Sequence, residues 1–371
     1  MRIGILTLPQ ETNYGGVLQA FALQYTLRKL GHDAITIDRH NRRQYPSLLI
    51  HCLGYGKRLI EHYLRHRDVS VRWNPFQSEE DFTKSLSEVR TFIDRNMKMT
   101  YPVYSDQLHQ IERDYHFDAY VVGSDQIWFE DYCPNSFLDF VKRKNVIKVT
   151  YAASCSSRSF LQNRKKTLIC TELAKSFQGI SVREKQLVEL CASKIGIRPL
   201  WVLDPTMLLD PNDYMAVVSS HNEEGPSVFT YILDENSEKE TIVREVNEQT
   251  GLPVIKGNSK NMIDGVSIPV SVDQWLSRLY SSEFIITDSF HGTVFSILFN
   301  KPFISIVNKI RGEERFTSLL EMFGLTQRLV YDANHSRINA LINEPIDYEK
   351  VNTILRFERK KAVDFLMQCL K

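Results

Sequence analysis

The sequence predicts an α/β fold in two βα-alternating units, and three observations carry that expectation. Short apolar, β-prone runs recur along the chain, nearly every one ends in a small polar loop, and stretches of helical periodicity separate them. At roughly 150 residues per domain, the 371 residues suit two such units, with Pro205 and Pro211 punctuating the boundary.

Arg2 to Leu8 opens the chain as a strand, Asn13-Tyr14-Gly15-Gly16 interrupts it, and Val17 to Leu30 carries an apolar helical stripe. Gly31 stops the helix and Ala34 to Ile37 resumes a strand, which completes a βαβ unit. Arg39 to Arg72 holds eight Lys or Arg against Glu61 and Asp68, interleaved with Tyr45, Leu48, Leu53, Leu59 and Tyr63. This is expected as a basic amphipathic insertion. Ala119 to Val122 and Val146 to Ala152 read as buried strands ending in Gly123-Ser124-Asp125-Gln126 and Ala153-Ser154-Cys155-Ser156. Gly179 to Glu184 precedes a helix through Cys191, and Trp201-Val202-Leu203 runs into Asp204-Pro205-Thr206. Strand ends of this kind suggest a parallel sheet whose C-terminal edge binds a ligand.

Beyond residue 210 the pattern repeats. Ser227 to Leu233, Pro253 to Ile255, Glu283 to Thr287 and Pro302 to Val307 read as strands, with helices over Ser237 to Gln249 and Gln274 to Tyr280. Tyr348 to Lys371 is one uninterrupted helical pattern, expected to pack back across the first domain. The expected division is therefore 1–205, 206–345 and a terminal helix over 346–371.

Composition narrows the function classes. A hydrophobic fraction of 43% excludes disorder as the main state. With 46 Lys+Arg against 45 Asp+Glu, the net charge of +1 removes the overall footprint of a sequence-independent nucleic-acid binder, so no nucleic-acid partner is expected. No apolar stretch approaches the roughly 20 residues that span a bilayer, and the N-terminal run is too short for a signal peptide. A cytoplasmic protein is expected, with any membrane contact peripheral and at the inner face; the basic segment 39–72 suits either attraction to an anionic lipid surface or a solvated helical hairpin packed on the first domain. Six cysteines show no C-x-x-C spacing and are expected to be inert.

Five strand-end loops hold the residues that can do chemistry. Asn13-Tyr14-Gly15-Gly16 opens a helix, where free N–H groups and a positive dipole end favour an anion, and Gln19 follows one turn on. The same glycines also suit a plain tight turn. Asp38 lies where a dinucleotide fold keeps its ribose-binding acid, but G-x-G-x-x-G is absent. Asp288-Ser289-Phe290-His291-Gly292 sets a histidine beside hydroxyls at a helix start, suited to hold an anion and deliver a proton to it. A capping cluster with Asp288 or Ser289 as N-cap is the alternative. Arg183, just after a strand, can fork onto a carboxylate or phosphate, or onto Glu184 or a neighbouring acid. Ser124-Asp125 and Asp204-Pro205-Thr206 end two further strands. No P-loop, G-x-S-x-G, H-E-x-x-H or Asp-x-Asp occurs, which points away from NTPase, esterase, zinc protease and metal-dependent chemistry.

Taken in order, Asn13-Tyr14-Gly15-Gly16 with Gln19, Val122-Gly123-Ser124-Asp125-Gln126-Ile127-Trp128, Ser181-Val182-Arg183-Glu184, Leu203-Asp204-Pro205-Thr206 and Asp288-Ser289-Phe290-His291-Gly292 resemble the polysaccharide pyruvyl transferase family over roughly residues 1 to 310. The resemblance implies two Rossmann-like domains facing across a cleft, as in GT-B glycosyltransferases. It also implies transfer of the pyruvyl group of phosphoenolpyruvate to two hydroxyls of one sugar, leaving a cyclic ketal and phosphate, without metal or cofactor. By motif, Arg183 resembles the donor-binding arginine and His291 the histidine beside the donor phosphate. Asp125, Asp204 and Asp288 are candidates to receive hydroxyl protons. Asn13, Tyr14, Gly15, Gly16, Gln19, Ser124, Ser289, Gly292 and Arg311 complete the expected binding set. Many members carry an arginine two residues before the histidine, where this chain has Ser289; Arg311, Arg315, Lys301 and Lys309 are cations that could substitute. The expected acceptor is a galactose-type residue in capsular or exopolysaccharide synthesis, an undecaprenyl-diphosphate-linked sugar included. Two rivals stay open: a nucleotide-sugar glycosyltransferase on the same architecture, and a catalytically silent saccharide-binding protein.

Overall fold

The computed structural model describes residues 1–11, 13–42, 48–60, 63, 79–157, 159–219, 225–263, 266–308 and 311–371. Two parallel sheets organise the chain. The first contains β1 (Arg2–Leu6), β2 (Asp33–Thr36), β3 (Ala119–Val122), β4 (Ile147–Ala153), β5 (Gly179–Val182) and β6 (Leu200–Trp201), in the order β2-β1-β3-β4-β5-β6. Ile3 stands opposite both Ala34 and Ala119, and Leu6 opposite Val122. The second contains β7 (Val228–Tyr231), β8 (Val254–Lys256), β9 (Phe284–Thr287), β10 (Phe303–Ile306) and β11 (Leu329–Val330), in the order β8-β7-β9-β10-β11. The central strands are buried on both faces, which is why they read as continuous apolar runs and not as alternating ones.

The same strand order in both sheets places a reversal of direction between β1 and β3 and another between β7 and β9. Loops at such a reversal part above the sheet and leave a crevice. The molecule is thus a two-domain α/β protein of the GT-B type, with the two crevices turned towards one cleft.

The helix Tyr14–Lys29 lies between the domains and departs from the expected stripe, because 13 of its 16 residues are buried. Leu23 and Leu27 pack on the first sheet with Ile3, Ile5 and Val121. Val17, Leu18 and Phe21 share a core with Tyr214, Trp275 and Phe295 of the second half. A helix covered on all sides has no reason to keep a polar face. The terminal helix Tyr348–Cys369 packs back as expected. Val351 and Leu355 join the interdomain core, while Ala362, Leu366 and Leu370 reach the first sheet. Arg359 donates to the Met207 and Leu209 carbonyls at 2.8 Å each. Gly179 lets the helix end lie against β5, since a Cβ there would stand 2.2 Å from Cys369 Sγ.

Among the described residues, the sequence reading lacks the strand β11, the antiparallel pair Lys260–Ile263 with Val266–Pro269 and the parallel contact of Arg39–His40 with Val103–Tyr104, and it lacks several helices, among them Ser87–Asn96, Leu108–Tyr115, Arg164–Ala174, Glu314–Phe323 and His335–Asn343. Of the basic insertion, Leu48–Leu59 is helical and Leu53, Ile60 and Tyr63 are exposed. Residues 43–47, 61–62 and 64–72 of that segment lie outside the described residues. Among the described residues no helix is long and apolar enough to cross a membrane.

Candidate functional site

A cleft of ≈ 970 Å³ opens between the two sheets, over both strand reversals. Three helices begin at its wall. Asn13 precedes Tyr14–Lys29, Ser289 caps Phe290–Leu298 by accepting from the Gly292 N–H at 3.4 Å, and Glu313 precedes Glu314–Phe323. Each start contributes free N–H groups and a positive dipole end, and together they favour an anion. Asp125, His291, Arg311 and Arg315 also line the cleft.

His291 is 4% exposed, and its Nε2 stands 3.6 Å from Asp204 Oδ2 with no hydrogen-bond partner. The contact joins the domains, because Asp204 ends the first sheet and His291 follows β9. Asp204 Oδ1 accepts from the Thr206 N–H at 3.0 Å and its hydroxyl at 2.7 Å, which fixes the carboxylate. Burial alone would raise the Asp204 carboxyl, but His291, Arg183 and Thr206 outweigh it and hold the group below the ordinary carboxylate range.

Arg183 sits beneath the cleft and does not line it. It donates to Glu184 at 3.0 Å, Asp204 at 2.8 Å and the Ser154 hydroxyl at 2.8 Å, with Asp125 at 3.8 Å. Burial opposes the charge, yet Glu184, Asp204 and Asp125 raise the guanidinium above its usual value. Arg183 therefore binds three carboxylates of its own chain, and the expected direct grip on a donor is not what this geometry offers. The pairing with Glu184 and a neighbouring acid is the alternative that the sequence leaves open for Arg183; Ser154 is a partner that no sequence signal marks.

Asp288 is likewise occupied. Its oxygens accept from the Leu233 N–H at 2.6 Å, the Asp234 N–H at 3.2 Å, Lys239 Nζ at 2.6 Å and Asn308 Nδ2 at 3.1 Å, so it ties down the loop after β7. A carboxylate with four donors is a poor base. Asp125 differs: it lines the cleft and sits in the left-handed region at φ 64°, held by its carbonyl accepting from Ile127 at 2.7 Å and Ser154 at 3.1 Å.

Several expected binding residues support the site without facing it. The Tyr14 hydroxyl donates to the Val270 carbonyl at 2.5 Å and its ring stacks on Trp275 at 5.5 Å. Gln19 donates to Thr7 Oγ1 at 2.7 Å and the Gly16 carbonyl at 2.9 Å. Ser124 is buried against Asp204 at 3.4 Å, and Gly292 packs on Thr287, where a Cβ would stand 2.2 Å from Oγ1. At Gly16 a Cβ would make only ordinary contact with Asn13. Asn13, Asp125, Ser289, His291 and Arg311 are the expected residues that reach the cleft wall.

The segment after β10 supplies the cations. Arg311 is held by Asp234 at 2.7 Å, while Arg315 donates to the Arg311 carbonyl at 2.5 Å and leaves its buried Nε without a partner. Phe290 lies within reach of two guanidinium groups, Arg183 at 4.2 Å and Arg315 at 5.7 Å from the ring centroid. Burial and the nearby Arg183 push Arg315 down to about 10, so it remains a cation at neutral pH and gains from any anion that arrives. Lys301 lies instead against the Tyr280 ring, at 5.7 Å, and Lys309 is outside the described residues.

The sequence profile of the Polysaccharide pyruvyl transferase family matches residues 13–310, which includes the motifs that build the cleft up to Arg183, Asp204 and His291. The chain belongs to this family. No curated protein matches it in sequence. Among solved structures it is similar to the UDP-GlcNAc 2-epimerase of Neisseria meningitidis bound to UDP-GlcNAc, at 12% identity and TM-score 0.54, covering 100% of this chain and 99% of that one. It is also similar to the UDP-GlcNAc 2-epimerase of Methanocaldococcus jannaschii, at 12% identity and TM-score 0.50, covering 94% and 93%. At these identities the likeness establishes the two-domain fold.

In this polysaccharide pyruvyl transferase family member, Gly15 is a steric requirement of the site. A Cβ at Gly15 would stand 1.9 Å from His291 Nδ1, so the first glycine of the motif lets an imidazole from the other domain lie on the helix start. Gly15→Ala is expected to push the ring off Asp204 at an overpacking cost of about 1–3 kcal/mol. The His291 imidazole nitrogen shifts check this; an unchanged imidazole signal in the variant would contradict the packing.

Proposed function

We propose that the protein transfers the pyruvyl group of phosphoenolpyruvate to two hydroxyls of one saccharide residue, forming a cyclic ketal and releasing phosphate in polysaccharide biosynthesis. The observation that carries this reading is the His291–Asp204 pair at 3.6 Å beside the underpartnered Arg315, where three helix starts meet. Family membership supports it. The donor carries a phosphate and a carboxylate, and Arg315 and Arg311 take these anions. Preorganised charge of this kind stabilises departing phosphate without reorganisation.

Atoms balance as follows. The two acceptor oxygens bond to the enol carbon, the carbon–phosphate oxygen bond breaks, and the methylene becomes a methyl group. Of the two hydroxyl protons, one ends on the methyl carbon and the other on the released phosphate. Asp125 receives hydroxyl protons, and His291, backed by Asp204, returns one to the departing oxygen. Arg183 acts through others: it fixes Asp204, Asp125 and Glu184, and touches no substrate.

Phosphate release from phosphoenolpyruvate, measured with and without galactose-terminated saccharides, tests the reading. Release that depends on the saccharide is expected. Failure with every saccharide, together with stabilisation by a nucleotide sugar and none by phosphoenolpyruvate, would move the assignment to a glycosyltransferase. Saccharide-dependent stabilisation with no release would leave a silent binder.

The acceptor is proposed to be presented at the inner membrane face, on a lipid diphosphate, with the basic segment 39–72 attracted to anionic lipid. In flotation with anionic vesicles, the protein is expected to rise with the lipid at low salt and to be released at high salt. Protein remaining in the soluble fraction at low salt would refute the membrane contact.

A further inference from the structure

A second cavity, of ≈ 260 Å³, lies on the far side of the strap that follows β1. Leu8 of that strap faces the main cleft, while Pro9, Gln10 and Glu11 line the smaller cavity. Arg39, His40, Asn41 and Arg90 form other parts of its wall. Two of these residues are buried with unmet hydrogen-bonding capacity of opposite kind.

Arg39 is 1% exposed, and among the described residues no carboxylate lies within ion-pair distance of it. Its Nε donates to Ser105 Oγ at 2.9 Å and its guanidinium stacks 4.7 Å from the Tyr132 ring centroid, but Nη1 has no acceptor. Burial pushes the group down to about 10. Gln10 is 2% exposed; its Nε2 donates to the Leu8 carbonyl at 2.7 Å, and its Oε1 has no donor. The neighbouring cation is satisfied: Arg90 forks onto Asp38 with both terminal nitrogens at 3.1 Å, and His40 also meets Asp38 at 3.1 Å. An unpaired buried arginine is costly. So is a buried amide oxygen without a donor. A ligand that carries an anion and a hydroxyl relieves both.

We infer that this cavity is a subsite for an anionic group, phosphate or carboxylate, borne by the acceptor saccharide, with Arg39 taking the anion and Gln10 a sugar hydroxyl. The assignment to the acceptor rests on the proposed transfer reaction, since the strap Leu8–Glu11 divides this cavity from the cleft that holds His291. The anion site itself does not rest on that reaction.

The test uses inorganic pyrophosphate and glucuronate as probes, titrated by calorimetry into the Arg315→Gln protein so that anion binding in the main cleft is weakened. One of the two probes is expected to bind. Asn41→Asp, an exposed substitution at the wall, is expected to weaken that probe roughly tenfold by setting a like charge beside it. Glu11→Gln is expected to strengthen it, because Glu11 is the acid already at the wall. Arg39→Lys is expected to lose most of the binding. Which probe binds better distinguishes a phosphate from a carboxylate. Binding unaffected by Asn41→Asp and Arg39→Lys, or no binding of either probe, would overturn the site. Absence of pyruvyl transfer with these titrations intact would overturn only the acceptor assignment.

Discussion

His291→Ala is expected to lower phosphate release from phosphoenolpyruvate by roughly 10²–10⁴-fold, the usual worth of a positioned acid–base group. Stabilisation of the folded protein by phosphoenolpyruvate should survive, because Arg311 and Arg315 remain at the cleft wall. The two measurements separate a proton-transfer role from a binding role. Asp204 makes the expectation stronger. Its folded-state carboxyl is held below the ordinary range by His291, Arg183 and Thr206 against the effect of burial. A depressed carboxyl contributes stability that is present above its unfolded value and is lost only as pH falls through the lower folded value. Asp204 therefore stays ionised throughout neutral and mildly acidic assays, and loss of activity in that window belongs to another group. A His291→Ala protein that kept near-wild-type turnover would remove the imidazole from the reaction.

Much of the framework is legible in the sequence because the signals are local. β1, β3, β4, β5, β7, β9 and β10 are apolar runs buried on both faces, and β3, β4 and β9 run straight into small polar residues. The two-residue strand β11 and the pair Lys260–Ile263 with Val266–Pro269 were not legible, being short segments defined by their neighbours. For Tyr14–Lys29 the existence of the helix could be read, but not its all-round burial, which depends on the second domain packing over it. The site divides in the same way. Gly15 and His291 stand out in motifs 276 residues apart, yet their contact of 1.9 Å for an added Cβ is a property of domain packing. The motif Asp288-Ser289-Phe290-His291-Gly292 shows a carboxylate beside a histidine, and only the donors brought by Leu233, Asp234, Lys239 and Asn308 reveal the structural duty of Asp288. Arg183 and Arg315 present the hardest case, because a sequence shows two arginines and not which one has its counter-ions.

That difference in counter-ions predicts opposite behaviour for two formally identical substitutions. Arg183→Gln removes what is, among the described residues, the only cation in ion-pair contact with Glu184, shared with Asp125 and Asp204, leaving buried acids together. Breaking a buried pair in this way costs about 3–5 kcal/mol. The variant should therefore unfold at clearly lower denaturant concentration, with any loss of activity following from the displaced carboxylates. Arg315→Gln removes a cation that burial and Arg183 already disfavour and whose Nε has no partner. Its unliganded stability is expected to remain unchanged or to rise. Donor affinity should instead collapse, with KM for phosphoenolpyruvate rising roughly 10–100-fold, which matches one or more charge-assisted bonds of about 1.5–3 kcal/mol. Denaturant midpoints and KM measured on the same two proteins decide the matter. An Arg183→Gln protein of normal stability that cannot bind the donor, beside an Arg315→Gln protein that binds it normally, would return the donor grip to Arg183. The expected pattern assigns that grip to Arg315, the arginine whose buried Nε the chain leaves without a partner, and makes it the cation that answers a donor anion where Ser289 brings none.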